Sequence, residues 1–196
     1  MDVTKKAVLS ALILINSTCL FAQLRDEKAD SIRRYAYTVD TSKTILDSLQ
    51  LTFDSIRVDV KVYPDKIVTT NYFERSGSEL KIEFFYKYNI LALIITSERS
   101  PVFNDLSRFT EFYFENCQLF DERYYRSVHS CMAIDLSWDM DKLYGYNKNI
   151  SADFLKTYTI ELFRTITAQH ASVFLCDYSS SKNIWLKKTT RLSLPS

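Results

Sequence analysis

Glycine and proline are scarce in this chain of 196 residues, with two glycines (77 and 145) and three prolines (64, 101 and 195). Turns must therefore be made by Asn, Asp, Ser and Lys, and Asn89, Asn104 and Asn116 are the expected turn residues. Charge of one sign is lacking too: 25 Lys plus Arg stand against 24 Asp plus Glu, a net charge of +1. Without concentrated positive charge, a phosphate backbone has nothing to bind, which excludes nucleic acid as an expected partner. The one basic group near an end, Lys182, Lys187, Lys188 and Arg191, reads as a solvated tail. Histidine is limited to His129 and His170, and no Gly-x-Ser-x-Gly elbow places a nucleophile, so a hydrolase is only a third reading. The chain has four cysteines, and no close pair of the kind a structural zinc site uses. The acidic group Asp135, Asp139 and Asp141 is interrupted by Leu136, Trp138 and Met140 and has no turn glycine, so it reads as a solvated helix face instead of a calcium loop. No cofactor and no metal are expected.

The N-terminus reads as an export signal at residues 1–22. Lys5 and Lys6 precede an apolar block at 7–15, and a mixed segment leads to Ala22, after which a signal peptidase would cut. The block is too short to cross a bilayer comfortably. A lipidated Cys19 is the competing reading, and in either case membrane contact is through this segment alone. The protein is thus expected in the periplasm or secreted, with residues 23–196 forming a single α+β domain and a polar tail from about 179. Setting Cys19 aside leaves Cys117, Cys131 and Cys176. That odd number in an oxidising space allows at most one internal disulfide, with Cys117 and Cys131 as the candidate pair.

Ile32, Tyr35, Ala36 and Val39 recur at helical spacing from Asp26 onward, and Ile45, Leu46 and Leu49 read as a second short helix. The period then changes to two. Ile56, Val58, Val60 and Val62 alternate with Arg57, Asp59 and Lys61, and further strands are expected at 67–74, 80–87, 90–97, 108–115 and 119–126. Strands so close in sequence join only through tight hairpins, so they form an antiparallel meander. The segment 98–107, holding Pro101 and Asn104, is the one long loop. Residues 127–149 show no clean period, although Trp138, Leu143 and Tyr144 fit a short helix. Ser151 then caps a helix whose stripe is Phe154, Leu155, Tyr158, Leu162 and Ile166.

A hairpin unit recurs within the meander. Phe85-Tyr86-Lys87-Tyr88-Asn89-Ile90-Leu91 and Tyr113-Phe114-Glu115-Asn116-Cys117-Gln118-Leu119 each run from two aromatics through a turn to a leucine, and Tyr72-Phe73 lead to Leu80 through a longer turn. At these residues the chain resembles a loose group of small exported proteins from Gram-negative bacteria with aromatic-aromatic-x-Asn-Gly-x-Leu hairpins and a C-terminal helix. Ile90 and Cys117 stand where the glycine of that pattern is displaced or replaced. The resemblance implies a fold and says almost nothing of chemistry.

The expected architecture is an antiparallel β-meander of five to six strands, packed on one face by the N-terminal helices and the helix from Ser151. Phe112 and Phe114 share one face of their strand while Phe109, Glu111 and Tyr113 share the other, which leaves the second face partly covered and room for binding. Tyr72, Tyr86, Tyr113, Tyr124 and Tyr125 are the candidate binding surface, because tyrosines serve peptide and carbohydrate recognition. The expected function is a non-enzymatic exported protein that binds a partner protein or envelope component. The alternative is a periplasmic immunity-type inhibitor of a toxin, which an acidic complementary face would favour.

Overall fold

The computed structural model describes residues 3–41, 44–127 and 139–169, with side chains of the first helix described from residue 22 onward. Three helices and seven strands follow in the order α1 (Val3–Asp40), β1 (Asp47–Phe53), β2 (Ile56–Val62), β3 (Lys66–Phe73), β4 (Ser78–Lys87), β5 (Ile90–Arg99), β6 (Ser107–Glu115), β7 (Gln118–Arg126), α2 (Met140–Leu143) and α3 (Ala152–Gln169). The strands form one antiparallel sheet in sequence order, β1 through β7. The α+β meander with N- and C-terminal helices is thus present, with seven strands in place of five or six.

Tight turns make this order possible. Asp54-Ser55, Tyr88-Asn89 and Asn116-Cys117 each adopt positive φ at both positions, between 47° and 65°. Successive left-handed residues in a two-residue loop are the turn whose twist matches the flanking strands, usually built from Asn-Gly. Here it is built without glycine, as the composition requires, and Asn89 and Asn116 fall where expected. The β3–β4 connection is longer, and Gly77 supplies its left-handed residue at φ +67°. The 98–107 loop lies between β5 and β6.

The two aromatic-aromatic hairpins share a register. Phe85 pairs with Leu93 and Tyr86 with Leu91, so β5 carries an extra residue at Ala92. Tyr113 pairs with Asp121 and Phe114 with Leu119, so β7 carries one at Phe120. Each bulge bends its strand just past the turn. The second aromatic of each unit is thereby set against a leucine on one face, while the first points to the other.

The helices take opposite faces, which corrects the expectation that both pack on one. Alternation along the strands places Val58, Ile82, Phe84, Leu91 and Phe112 beneath α3, where they meet Leu155, Tyr158, Leu162, Phe163 and Ile166. Phe85, Leu93 and Tyr113 point the other way and meet Ala29 and Ala36 of α1. Both faces of the middle strands are apolar, and each can be buried only by its own layer. A second correction concerns Ile45, Leu46 and Leu49. They spaced like a helix, yet Leu49, Leu51 and Phe53 alternate inward along β1 and pack on the α3-side core. α1 itself runs unbroken from Val3 to Asp40.

At the start of α3, the Phe154 backbone N–H donates to Ser151 Oγ at 3.2 Å, the expected cap. One polar node sits under the helix. Buried Asn71 donates from Nδ2 to Thr69 Oγ1 and to the Leu80 carbonyl, both at 2.9 Å, and its Oδ1 accepts from the Tyr158 hydroxyl at 2.9 Å. Gly145 is required twice over, because its φ is +70° and an added Cβ would lie 2.9 Å from Pro101 Cγ.

Candidate functional site

α1 crosses its face diagonally. Its described contacts with the sheet begin where Arg25 meets Asp121 of β7 and end where Asp40 meets Lys66 of β3. The helix presents Ala29 and Ala36 to the sheet, with Ile32 and Val39 partly buried beside them, and surrounds them with charge. Arg123 reaches Asp26 at 3.0 Å, Asp30 at 3.2 Å and Asp121 at 2.9 Å, and Arg33 reaches buried Glu111 at 3.3 Å. Beyond this strap, the same face of β1, β2, β3 and the first half of β4 has no helix over it among the described residues.

That uncovered half is the candidate site. Strand alternation sends Arg57, Asp59 and Lys61 from β2, Thr70 and Tyr72 from β3, and Lys81 and Glu83 from β4 to this side. All of these but Arg57 border a concavity of about 360 Å³, whose rim toward α1 is formed by Asp40, Tyr63 and Lys66. The Arg57 guanidinium lies 4.3 Å from the centre of the Tyr72 ring, within the range of a cation–π contact. Partial desolvation, then the carboxylates of Asp59 and Glu79, hold the Tyr72 phenol above its ordinary pKa. Gln50 donates to Asp59 at 2.5 Å, Lys81 pairs with Glu83 at 2.9 Å, and Lys66 pairs with Asp40. Lys61 and Asp59 make no ion pair among the described residues, and the lining is balanced, with Lys61, Lys66 and Lys81 against Asp40, Asp59 and Glu83.

A second polar cluster is closed upon itself. Glu98 accepts from Arg108 Nε at 2.7 Å and from the Asn147 backbone N–H at 2.9 Å, while Arg108 donates to the Asn147 and Ile150 carbonyls at 2.8 and 3.0 Å. Burial pushes the Glu98 carboxyl up, and these bonds oppose that shift. Each group is occupied by its neighbours, and their effect is to fasten residues 147–150 to the sheet. Asp141 pairs with Arg126 at 2.7 Å, and Asp139 caps α2 through the Lys142 N–H at 3.1 Å. This accounts for two of the three acidic residues singled out in the sequence. Asp135 lies outside the described residues, as do His129, His170, the basic group from Lys182 and the tail from 179.

The five candidate tyrosines do not share one surface. Tyr72 lies on the open half-face. Tyr125 lies on the same side next to α1, its ring 5.1 Å from the Arg33 guanidinium. Tyr124 is exposed on the α3 side. Tyr86 and Tyr113 are corrections: they are 6% and 0% exposed and belong to the two cores. Being large, they fill the space under each helix, and each hydroxyl is satisfied internally, Tyr86 on the Tyr63 carbonyl at 2.7 Å and Tyr113 on Glu111 at 2.5 Å. The residues missed were Arg57, Lys61, Tyr63 and Lys81, whose signal was the polar half of an alternating strand. Cys117 is disulfide-bonded, with the proposed partner Cys131 outside the described residues. Among the described residues no cluster of His, Cys, Asp or Glu is arranged to hold a metal ion, and no helix is long and apolar enough to cross a membrane.

Comparison with known proteins finds no matching family model, no matching curated protein and no matching solved structure. The class is therefore defined by the fold and its surface: an α+β meander, sealed by a helix on one face and half strapped on the other.

Proposed function

We propose that this chain is an exported, non-enzymatic protein that binds a partner protein or envelope component through the open half-face of β2, β3 and β4. The observation that carries the reading is the Arg57–Tyr72 stack beside a depression lined by both lysines and carboxylates, on a sheet face that α1 leaves bare. Tyrosine supplies large contact area with few rotors, and tyrosine and arginine are among the side chains enriched at protein interfaces. The mixed charges along the rim favour a partner with its own alternating charges over a uniformly charged polymer.

The test is affinity capture from envelope extract with the tagged exported protein, beside a variant carrying Arg57→Ala and Tyr72→Ala. The native protein should retain a reproducible set of components that the variant loses, while both melt at the same temperature. Identical retention by the two proteins would remove the open half-face from the account.

A further inference from the structure

The two outer strands of the sheet are built differently. At β7, a bulge at Phe120 disrupts the ladder, and Glu122, Arg123 and Arg126 place charge along the edge. These are the usual means of preventing a sheet from pairing with another. β1 has none of them: Asp47-Ser48-Leu49-Gln50-Leu51-Thr52-Phe53 pairs with β2 in unbroken register and carries charge only at its first residue. Along its outer side the Ser48 N–H is bonded to the Asp47 carboxylate at 2.7 Å, no other backbone group of 48–53 is paired there among the described residues, and Leu46 just before the strand is 62% exposed.

The β1 edge is also complementary to itself. Phe53 and Ile56 flank a two-residue turn and therefore exchange hydrogen bonds, so the backbone groups of Ser48, Gln50 and Thr52 point away from β2. An antiparallel partner strand of the same sequence, centred on Gln50, uses the outward groups of Gln50 and Thr52 and the Ser48 carbonyl, and takes the Ser48 N–H in exchange for its bond to the Asp47 carboxylate. In that register Gln50 faces Gln50, Ser48 faces Thr52, and Leu49 faces Leu51 on the side of the α3 core. No like charges oppose one another, and the exposed parts of the leucines are covered.

We propose that a second copy of this chain adds to the β1 edge in this way, giving a two-fold dimer with one continuous sheet. A two-fold axis perpendicular to the sheet keeps equivalent faces on the same side. The dimer joins two open half-faces into a single platform, with Ser48, Gln50 and Thr52 at its centre and an Arg57–Tyr72 stack toward each end. The inference stands on the strand edge alone and does not depend on the binding role.

Sedimentation and light scattering of the purified protein over a dilution series test it. A concentration-dependent dimer is expected. The double variant Ser48→Lys, Thr52→Lys sets lysine against lysine across both symmetric pairs and should weaken the dimer about tenfold or more. The variant Ser48→Lys, Thr52→Glu sets opposite charges in the same places and should retain it. Both positions are exposed, and circular dichroism should report an unchanged fold. A monomer at every concentration, or a dimer equally tolerant of both variants, would overturn the proposal.

Discussion

Beneath α3, the rings of Phe84 and Phe163 lie 5.2 Å apart within a dry cluster of leucine, isoleucine and valine. Beneath α1, the helix meets the same sheet with Ala29 and Ala36, and Arg25, Arg33 and Arg123 tie it down at its margins. Burial of large apolar side chains is non-directional and contributes most of a domain's stability, whereas exposed ion pairs contribute little each and weaken with salt. The α3 face therefore holds the fold together. The α1 face orients a helix and leaves half its width for something else.

The sharpest way to break this comparison is to truncate one side chain on each face. Phe163→Ala should cost about 3–5 kcal/mol in denaturant melts, because a cavity opens in a packed core, whereas Ile32→Ala, on the sheet side of α1 and half-buried there, should cost about 1 kcal/mol. Equal losses would contradict the division of labour. Next in size is Asn71→Ala, expected to cost about 2 kcal/mol by leaving the Tyr158 hydroxyl buried without its partner. Adding Tyr158→Phe should recover part of that loss in a double-mutant cycle. On the α1 face, Arg123→Ala should cost about 1 kcal/mol at low salt and less at high salt. The smallest effect has the opposite sign. Ser55 sits at φ +64°, and Ser55→Gly should stabilise by about 0.5–1 kcal/mol, since glycine removes the left-handed strain while adding some freedom to the unfolded chain.

Much of the meander was legible because its signals are local. The alternation of Ile56, Val58, Val60 and Val62, the turns at Asn89 and Asn116, and the cap at Ser151 each depend on a few neighbouring residues. β1 was misread for the same reason: Ile45, Leu46 and Leu49 fit a helical spacing, and the competing alternation of Leu49, Leu51 and Phe53 ends at a turn, Asp54-Ser55, with no glycine to announce it. Which helix takes which face is a long-range choice, and no local pattern encodes it. The site divides likewise. Tyr72 could be named as a surface tyrosine, but Tyr86 and Tyr113 look no different in sequence and are core, because exposure depends on where α1 and α3 land. Arg57, Lys61 and Lys81 become a site only once that strap is seen to stop short of them.

The central claim, that recognition belongs to the half-face α1 leaves open, is tested most directly by hydroxyl-radical footprinting of the protein with and without its captured envelope component. The account predicts protection of Tyr72 and Tyr63 while Tyr124, on the α3 side, and Tyr88, at a hairpin tip, keep their reactivity. Protection of Tyr124 with Tyr72 unchanged would contradict it.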